Sequence, residues 1–208
     1  MASPLTVKRN DYYRNPKTSD IYTPVGVARF LFDVLERPQY QHVFDPAIGS
    51  GRLTDPWHEA GRTVSGCDIH PRLSQSQYSV CFVGRFEDVD NPALFPEPDL
   101  VLCNSPYNGA PGKQLYPEVF LQHIFDLWGA KTPTVMFTPM GFRLNQRRKS
   151  KRWRWLRDCG AEITSIVSLP LDVFPGVEFH AEILMFNISG VKPHYLLPEE
   201  ALDVPDPS

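Results

Sequence analysis

Short apolar runs rich in β-branched residues recur along most of the chain, and several are separated by segments with helical apolar periodicity. The runs predict strands at residues 42–45, 63–69, 78–83, 100–103, 134–138, 163–169 and 182–188. The helical patterns cover residues 25–35, 116–128 and 151–159, and a further segment, broken by Pro56, covers residues 52–60. Because strands that alternate with helices usually pair in parallel, the sequence predicts an α/β fold with a largely parallel sheet.

The two ends of the chain differ in composition from this alternating region. We expect residues 20–189 to form one folded domain, which is ordinary for a chain of 208 residues. Residues 1–19 are expected to be an N-terminal extension, and the proline-rich, acidic residues 190–208 a tail outside the core. No apolar run could span a bilayer or act as a signal peptide, which predicts a soluble, cytoplasmic protein. The four scattered cysteines are expected to be reduced core residues, and no metal site is predicted.

A glycine-containing loop follows the first predicted strand, at the strand end where parallel sheets bind their ligands. Its sequence is Asp-Pro-Ala-Ile-Gly-Ser-Gly at residues 45–51, and the glycines let the backbone approach a ligand closely. The loop has neither the dinucleotide fingerprint nor a P-loop, so an ordinary tight turn is the alternative. Asp68 ends the second strand about 20 residues later, where a carboxylate can accept hydrogen bonds from ribose hydroxyls. A solvated strand-end aspartate is the alternative for Asp68, but the two features together favour a nucleotide-like ligand.

The tetrapeptide Asn104-Ser105-Pro106-Tyr107 directly follows the fourth predicted strand. With this tetrapeptide behind the glycine loop, the sequence resembles class I S-adenosylmethionine-dependent methyltransferases, specifically the N6-adenine DNA methyltransferases in which the cofactor motif precedes the catalytic one. Residues 169–177 and 181–186 are similar to modification subunits of type I restriction systems, where this stretch lies near the flipped base. Phe174 or Phe179 is therefore a candidate to contact the base, with core packing as the alternative. The resemblance implies a Rossmann-like class I fold with a mainly parallel seven-stranded sheet and helices on both faces.

The resemblance also implies a role for each motif. The side-chain oxygen of Asn104 and the main-chain carbonyl of Ser105 would accept the two N6 hydrogens of adenine. Tyr107, which follows Pro106, would stack on the base once it has left the duplex. No metal or covalent nucleophile is implied. The residues implied to bind S-adenosylmethionine are Tyr22, Thr23, Pro24, Asp45, Ala47, Gly49, Gly51, Asp68, Ile69, Phe86 and Asp88.

The sequence departs from the family pattern at two positions. Ser105 replaces the usual first proline of the tetrapeptide, which keeps the carbonyl but removes a restraint on φ. Arg85 stands where the family usually has an acid that binds the adenine amino group of the cofactor. Either Glu87 or Asp88 substitutes for that acid, or Phe86 stacks on the adenine without the hydrogen bond.

A run of cations without any acid extends from Arg143 to Arg157, although the net charge of the chain is -3. Trp153 and Trp155 are interleaved with these cations, a combination suited to phosphate contact and base stacking. Because the run follows the fifth predicted strand, we expect it on the active-site side of the sheet. A solvated helix face with one buried tryptophan is the alternative. The predicted nucleic-acid-binding residues are Arg143, Arg147, Arg148, Lys149, Lys151, Arg152 and Trp153.

Two hypotheses of function result. The first is a minimal enzyme, of phage or mobile-element type, that methylates N6 of adenine in DNA with low sequence specificity or with a partner subunit. RNA adenine, cytosine N4 and a glutamine amide are alternative substrates, because similar tetrapeptides hold a planar amino group in each. The basic run disfavours glutamine, and Asn104 disfavours cytosine. The second hypothesis, favoured by Ser105 and Arg85, is a catalytically weak nucleic-acid-binding subunit that retains the fold.

Overall fold

A computed structural model describes residues 21–70, 78–107, 114–144, 146–174 and 178–202 of the chain. The predicted N-terminal extension lies outside the described residues. The described residues build one central sheet with helices packed on it, as the alternating sequence pattern predicts.

Within the described ranges, the sheet has eight strands in the order β3-β2-β1-β4-β5-β7-β6-β8. Neighbouring strands are parallel except for β7, which runs antiparallel to both β5 and β6. The prediction of a mainly parallel sheet is confirmed, but the predicted number of seven strands is one too low. The strands are β1 (His42–Asp45), β2 (Thr63–Asp68), β3 (Val80–Val83), β4 (Leu100–Cys103), β5 (Thr134–Pro139), β6 (Ile163–Ser168), β7 (Ala181–Phe186) and β8 (His194–Leu196).

The described part of the chain contains four helices, namely α1 (Val25–Leu35), α2 (Asp55–Glu59), α3 (Tyr116–Trp128) and α4 (Lys151–Asp158). Three of them match the predicted segments to within one residue. The helix predicted at residues 52–60 is shorter, because Pro56 lies in its first turn, where a missing N–H costs little. Ser150 caps the start of α4 by accepting a hydrogen bond from the Trp153 amide at 3.2 Å.

The eighth strand comes from the segment that we predicted to be a tail outside the core. β8 pairs in parallel with β6, and a short 3-10 helix (Glu199–Ala201) follows it. Leu197 and Ala201 are buried in the core, and a Cβ on Gly26 of α1 would lie 1.9 Å from the Ala201 carbonyl oxygen. Residues 194–201 therefore lie within the sheet and core. Their backbone pairs with the edge strand β6, and their few apolar side chains pack in the core next to α1.

Alternating strand residues divide the core into two layers, one on each face of the sheet. Leu100 and Leu102 of β4 face the layer that contains α1, whereas Val101 and Cys103 face the layer that contains α3. The sheet is therefore covered on both faces, as predicted. The carboxyl ends of its parallel strands remain as the edge where a ligand can bind.

No helix of the described residues is long and apolar enough to cross a membrane. The four cysteines are free thiols. Within the described ranges, no three histidine, cysteine, aspartate or glutamate side chains are grouped so that they could hold a metal ion.

Candidate active site

The glycine loop after β1 and the end of β2 are joined by the carboxylate of Asp68. Gly49 and Gly51 have φ angles of 55° and 81°, in the left-handed region that favours glycine. The Gly49 amide donates to Asp68 Oδ2 at 2.8 Å, and the His70 amide donates to Asp68 Oδ1 at 2.8 Å. Each carboxylate oxygen can accept more than one hydrogen bond, so Asp68 keeps acceptor capacity for a ligand while it shapes the loop.

Asp45 closes the base of this loop and is almost completely buried, with 1% of its surface exposed. Its Oδ1 accepts a hydrogen bond from the Ala47 amide at 2.9 Å, whereas Oδ2 is buried without a hydrogen-bond partner among the described residues. Burial raises the pKa of the Asp45 carboxyl to about 8, and the nearby Asp68 charge acts in the same direction. The Asp45 carboxyl is therefore mostly protonated and uncharged at neutral pH, and its free oxygen can form a hydrogen bond with a ligand.

Asn104, which follows β4, is held by Thr23, which lies two residues before the start of α1. The amide nitrogen Nδ2 of Asn104 donates to Thr23 Oγ1 at 3.0 Å, and Thr23 is buried. Because the NH2 end of the amide is bound in this way, the Oδ1 end is the one left to accept a hydrogen bond from a substrate. The Tyr22 ring lies against the glycine loop, since a Cβ at position 49 would be 3.1 Å from it. Three predicted segments, 22–24, 45–51 and 104–107, therefore meet at one place.

Tyr107 is 8% exposed and packs into an aromatic column. Its ring lies edge to face with Phe179 at a centroid distance of 5.1 Å, and Phe179 stacks on Phe174 at 5.3 Å. Phe174 is a core residue, whereas Phe179 is only partly buried. A base that stacks on Tyr107 must therefore replace part of its contact with Phe179. Ser105 is also buried, while Pro106 is exposed.

The end of β3 differs from what the cofactor motif predicts. The Phe86 ring is 1% exposed and packs against Phe44, Phe120 and His123. The structure therefore places Phe86 in the core and not at the edge of the sheet where a ligand can bind. Arg85 forms an ion pair with Glu87 at 2.8 Å.

Two predicted cofactor residues remain exposed at the edge near the end of β3. Ile69 follows β2 with 59% of its surface exposed, and Asp88 is exposed in the 3-10 helix after β3. Of the two acids that could replace the missing one at position 85, Asp88 is the acid without an ion pair among the described residues.

Two of the predicted phosphate-binding arginines are used inside the protein. Arg143 binds Glu182 of β7 through two hydrogen bonds of 2.9 and 3.2 Å. Arg152 of α4 binds Glu118 of α3 at 2.6 Å, and its guanidinium lies over the Phe142 ring. The remaining predicted residues are exposed to solvent, namely Arg147, Arg148, Lys149, Lys151 and Trp153.

Glu118 and Glu182 were not identified from the sequence, although a signal for them exists. Both are at most 4% exposed and stand in otherwise apolar patterns, on the buried side of α3 and within β7. A buried carboxylate needs a partner, and an acid-free run of arginines in the same chain can supply one. An isolated glutamate in an apolar strand therefore predicts an internal ion pair with such a run.

The comparisons with known proteins match solved methyltransferase structures at low sequence identity. No family model and no curated protein matches the sequence. A modification subunit of a putative type I restriction enzyme from Vibrio vulnificus YJ016 is 17% identical over 89% of this chain and 47% of its own, with a TM-score of 0.62. A type I restriction-modification methyltransferase subunit from Streptococcus thermophilus is 16% identical over 86% of this chain and 47% of its own, with a TM-score of 0.64.

A putative class I S-adenosylmethionine-dependent methyltransferase from Listeria monocytogenes is also similar, with 16% identity over 84% of this chain and 64% of its own, and a TM-score of 0.61. This chain thus spans about half the length of the two restriction-system subunits. At these identities the similarity establishes a shared fold, the Rossmann-like fold of class I methyltransferases.

Proposed function

We propose that this chain is an S-adenosylmethionine-dependent methyltransferase that acts on the N6 amine of adenine in DNA. The observation that carries the proposal is the orientation of Asn104. Its NH2 group is bound to Thr23, which leaves Oδ1 free to accept a hydrogen bond at the carboxyl end of β4. An acceptor at this point of a methyltransferase fold suits an exocyclic amine, which has two hydrogens to donate.

The residues at the strand ends fit the cofactor. The left-handed glycines let the loop backbone approach a ligand, and Asp68 retains acceptor capacity for ribose hydroxyls. The buried Oδ2 of Asp45 has no hydrogen-bond partner among the described residues and is available to a ligand. When bound, S-adenosylmethionine supplies an electrophilic methyl group on a positively charged sulfur. The residues that we propose to hold it are Tyr22, Thr23, Pro24, Asp45, Ala47, Gly49, Gly51, Asp68, Ile69 and Asp88.

The tetrapeptide prepares the amine for attack. The lone pair of N6 is conjugated with the adenine ring, so acceptors that bind both hydrogens favour the pyramidal nitrogen needed for methylation. Asn104 Oδ1 and the Ser105 carbonyl are these acceptors, and Tyr107 stacks on the base after it has left the helix. Ser105 lacks the φ restraint of proline, and it is buried, with 3% of its surface exposed.

The exposed cations after β5 are proposed to bind the DNA backbone. The similarity to solved structures named as subunits of type I restriction systems supports DNA as the polymer and a partner subunit. A catalytically weak, nucleic-acid-binding subunit is the second candidate, favoured by the contact between Tyr107 and Phe179 that a base must replace.

Transfer of a labelled methyl group to DNA, RNA and protein tests the proposal. We expect label in adenine N6 of DNA, and an Asn104→Ala variant that binds the cofactor normally but transfers roughly a hundredfold more slowly. Asn91→Ala is the matched control, because Asn91 is exposed and only caps the 3-10 helix before β4.

The possible outcomes separate the hypotheses. Label in none of the polymers, while the cofactor binds, would favour the weakly catalytic subunit. Label in cytosine N4 or in RNA would identify a different substrate. Equal transfer by the wild type and Asn104→Ala would show that Asn104 does not hold the amine.

A further inference from the structure

Exposed cations precede Trp153 in the chain at the start of α4, and we call these cations together with Trp153 the basic platform. It consists of Arg147, Arg148, Lys149, Lys151 and Trp153, all exposed to solvent. Among the described residues, none of these four cations forms an ion pair. Cations that are neither buried nor paired keep their full charge available for an anionic partner.

Trp153 and Trp155 point in different directions from the same helix. Residues two positions apart are separated by about 200° around a helix. The Trp155 ring packs on Phe125 at a centroid distance of 6.1 Å and belongs to the core on the α3 side of the sheet. Trp153 is 44% exposed, so its indole is accessible to solvent, and it follows the cations in the chain. The chain thus presents a large flat apolar ring on a charged surface.

Two ion pairs with buried glutamates attach the basic platform to the rest of the protein. Arg143, which precedes the platform in the chain, binds Glu182 of β7, and Arg152, between Lys151 and Trp153, binds Glu118 of α3. The start of α3 is tied to the tetrapeptide, because the Tyr116 amide donates to the Tyr107 carbonyl at 3.3 Å. The platform is therefore connected to the proposed catalytic residues through one helix start and one ion pair.

From these features we infer that the basic platform binds single-stranded DNA, with an unpaired base stacked on Trp153 and adjacent phosphates on the cations. The inference rests on the proposed function for DNA as the substrate. It adds that the DNA is single-stranded and that Trp153 is the residue that recognises the unpaired base.

The exposed indole of Trp153 is the feature that favours binding of single-stranded over duplex DNA. Inside a duplex both faces of a base are already stacked on neighbours, so a protein ring can reach only edges and phosphates without unstacking. An unpaired base offers a free face, and stacking on an aromatic side chain is tolerant of sequence. Cations alone would bind the phosphates of single-stranded and duplex DNA alike, whereas the exposed Trp153 adds affinity for single-stranded DNA. A target adenine in a single strand also reaches Asn104 without the cost of leaving a helix.

Binding of fluorescein-labelled oligonucleotides to the full chain, in the presence of S-adenosylhomocysteine, tests the inference. The same 20-nucleotide sequence is measured by anisotropy as a single strand, as a duplex and as RNA. We expect the single-stranded DNA to bind at least about tenfold more tightly than the duplex. Trp153→Ala should weaken single-strand binding by roughly ten- to a hundredfold and leave duplex binding nearly unchanged, whereas Trp153→Phe should retain most of the affinity.

A charge variant and a matched control complete the design. Arg147→Gln with Arg148→Gln should weaken binding to both forms and reduce the dependence on salt. Lys131→Gln with Lys192→Gln removes the same amount of charge at the opposite edge of the sheet. This control variant should change neither the affinity for the two forms nor its dependence on salt.

The inference fails if the duplex binds as tightly as the single strand, if Trp153→Ala weakens both forms equally, or if RNA binds more tightly than DNA. Because binding is measured without methyl transfer, these outcomes are independent of the Asn104→Ala experiment. Absence of methylation with intact single-strand preference would refute the proposed activity alone.

Discussion

At the scale of single residues, the contact between Thr23 and Asn104 joins a predicted cofactor residue to a predicted catalytic one. The Asn104 amide could present either its oxygen or its NH2 group to a substrate amine, and only the oxygen can accept a hydrogen bond. Thr23 Oγ1 accepts a hydrogen bond from the NH2 group at 3.0 Å, which leaves Oδ1 as the acceptor. Under the proposed function, Thr23 is a positioning residue for the tetrapeptide.

Replacing Thr23 tests this role. Thr23→Val keeps the volume but removes the acceptor, so we expect kcat to fall by roughly tenfold or more, with a smaller change in KM for the cofactor. Thr23→Ser keeps a hydroxyl and should restore most of kcat. Steady-state kinetics of methyl transfer give both constants. An unchanged kcat with a raised KM would instead identify Thr23 as a cofactor ligand only.

The buried carboxyl of Asp45 predicts how stability changes with pH. Its pKa is about 8 in the folded protein and close to 4 in the unfolded chain. Below about pH 4 it is protonated in both states. Between pH 4 and 8 it is ionised only in the unfolded chain, so its contribution to the free energy of unfolding falls as pH rises, by at most about 1.4 kcal/mol per pH unit.

Asp45→Asn should remove this dependence, because the amide keeps the Oδ1 acceptor for the Ala47 amide and does not ionise. Urea unfolding of both proteins at pH 5, 6, 7 and 8 measures the difference in slope. Asp33→Asn, at an exposed position of α1, is the control. Equal slopes for wild type and Asp45→Asn would show that the carboxyl is not buried as described.

At the scale of elements, α3 and α4 are connected by the ion pair between Glu118 and Arg152. Their side chains are 6% and 14% exposed, whereas Arg157 and Asp158 at the other end of α4 form a pair that is mostly exposed. Removing one member of a buried pair leaves an uncompensated charge, while an exposed pair is screened by water. The first pair therefore holds α4 and the basic platform in place.

Two alanine substitutions of acids that pair with α4 arginines separate these cases. Glu118→Ala should lower the free energy of unfolding by about 3 kcal/mol, whereas Asp158→Ala should change it little. Urea unfolding at neutral pH measures both. The anchoring role of Glu118 is refuted if the two variants are equally stable.

At the scale of the whole molecule, Gly26 near the start of the described chain meets Ala201 near its end. A Cβ on Gly26 would lie 1.9 Å from the Ala201 carbonyl oxygen. In an isolated helix, by contrast, alanine is more favourable than glycine by about 1 kcal/mol. Whether Gly26→Ala raises or lowers the free energy of unfolding therefore depends on whether the C-terminal segment is packed against α1.

A double-mutant cycle tests this packing. In the full chain, Gly26→Ala should destabilise by more than about 1 kcal/mol, because a backbone carbonyl has to move. In a chain that ends at residue 196, the same substitution should stabilise by up to about 1 kcal/mol. Thermal or urea unfolding of the four proteins gives both values, with near-ultraviolet circular dichroism to verify that the shortened chain is folded. The same sign in both backgrounds would contradict the contact.

The sequence by itself determined the parts of this protein that depend on local patterns. Apolar periodicity and turn residues predicted the first seven strands, three of the four helices nearly to the residue, and the class of fold. The parallel arrangement then implied that residues following the strands, such as Asp68 and Asn104, lie at one edge of the sheet. These features follow from interactions between residues that are close in the chain.

Only the tertiary structure decided which polar and aromatic groups meet. Thr23 and Asn104 are 81 positions apart, and Glu118 and Arg152 are 34 apart, so no local pattern could pair them. The same holds for Phe86, which the family resemblance assigned to the cofactor and which packs in the core. It also holds for residues 194–201, which form an eighth strand and a buried turn. The burial and pairing of these residues depend on elements that are distant in the chain. Local sequence does not specify them, because the contacts form only when the folded chain brings these elements together.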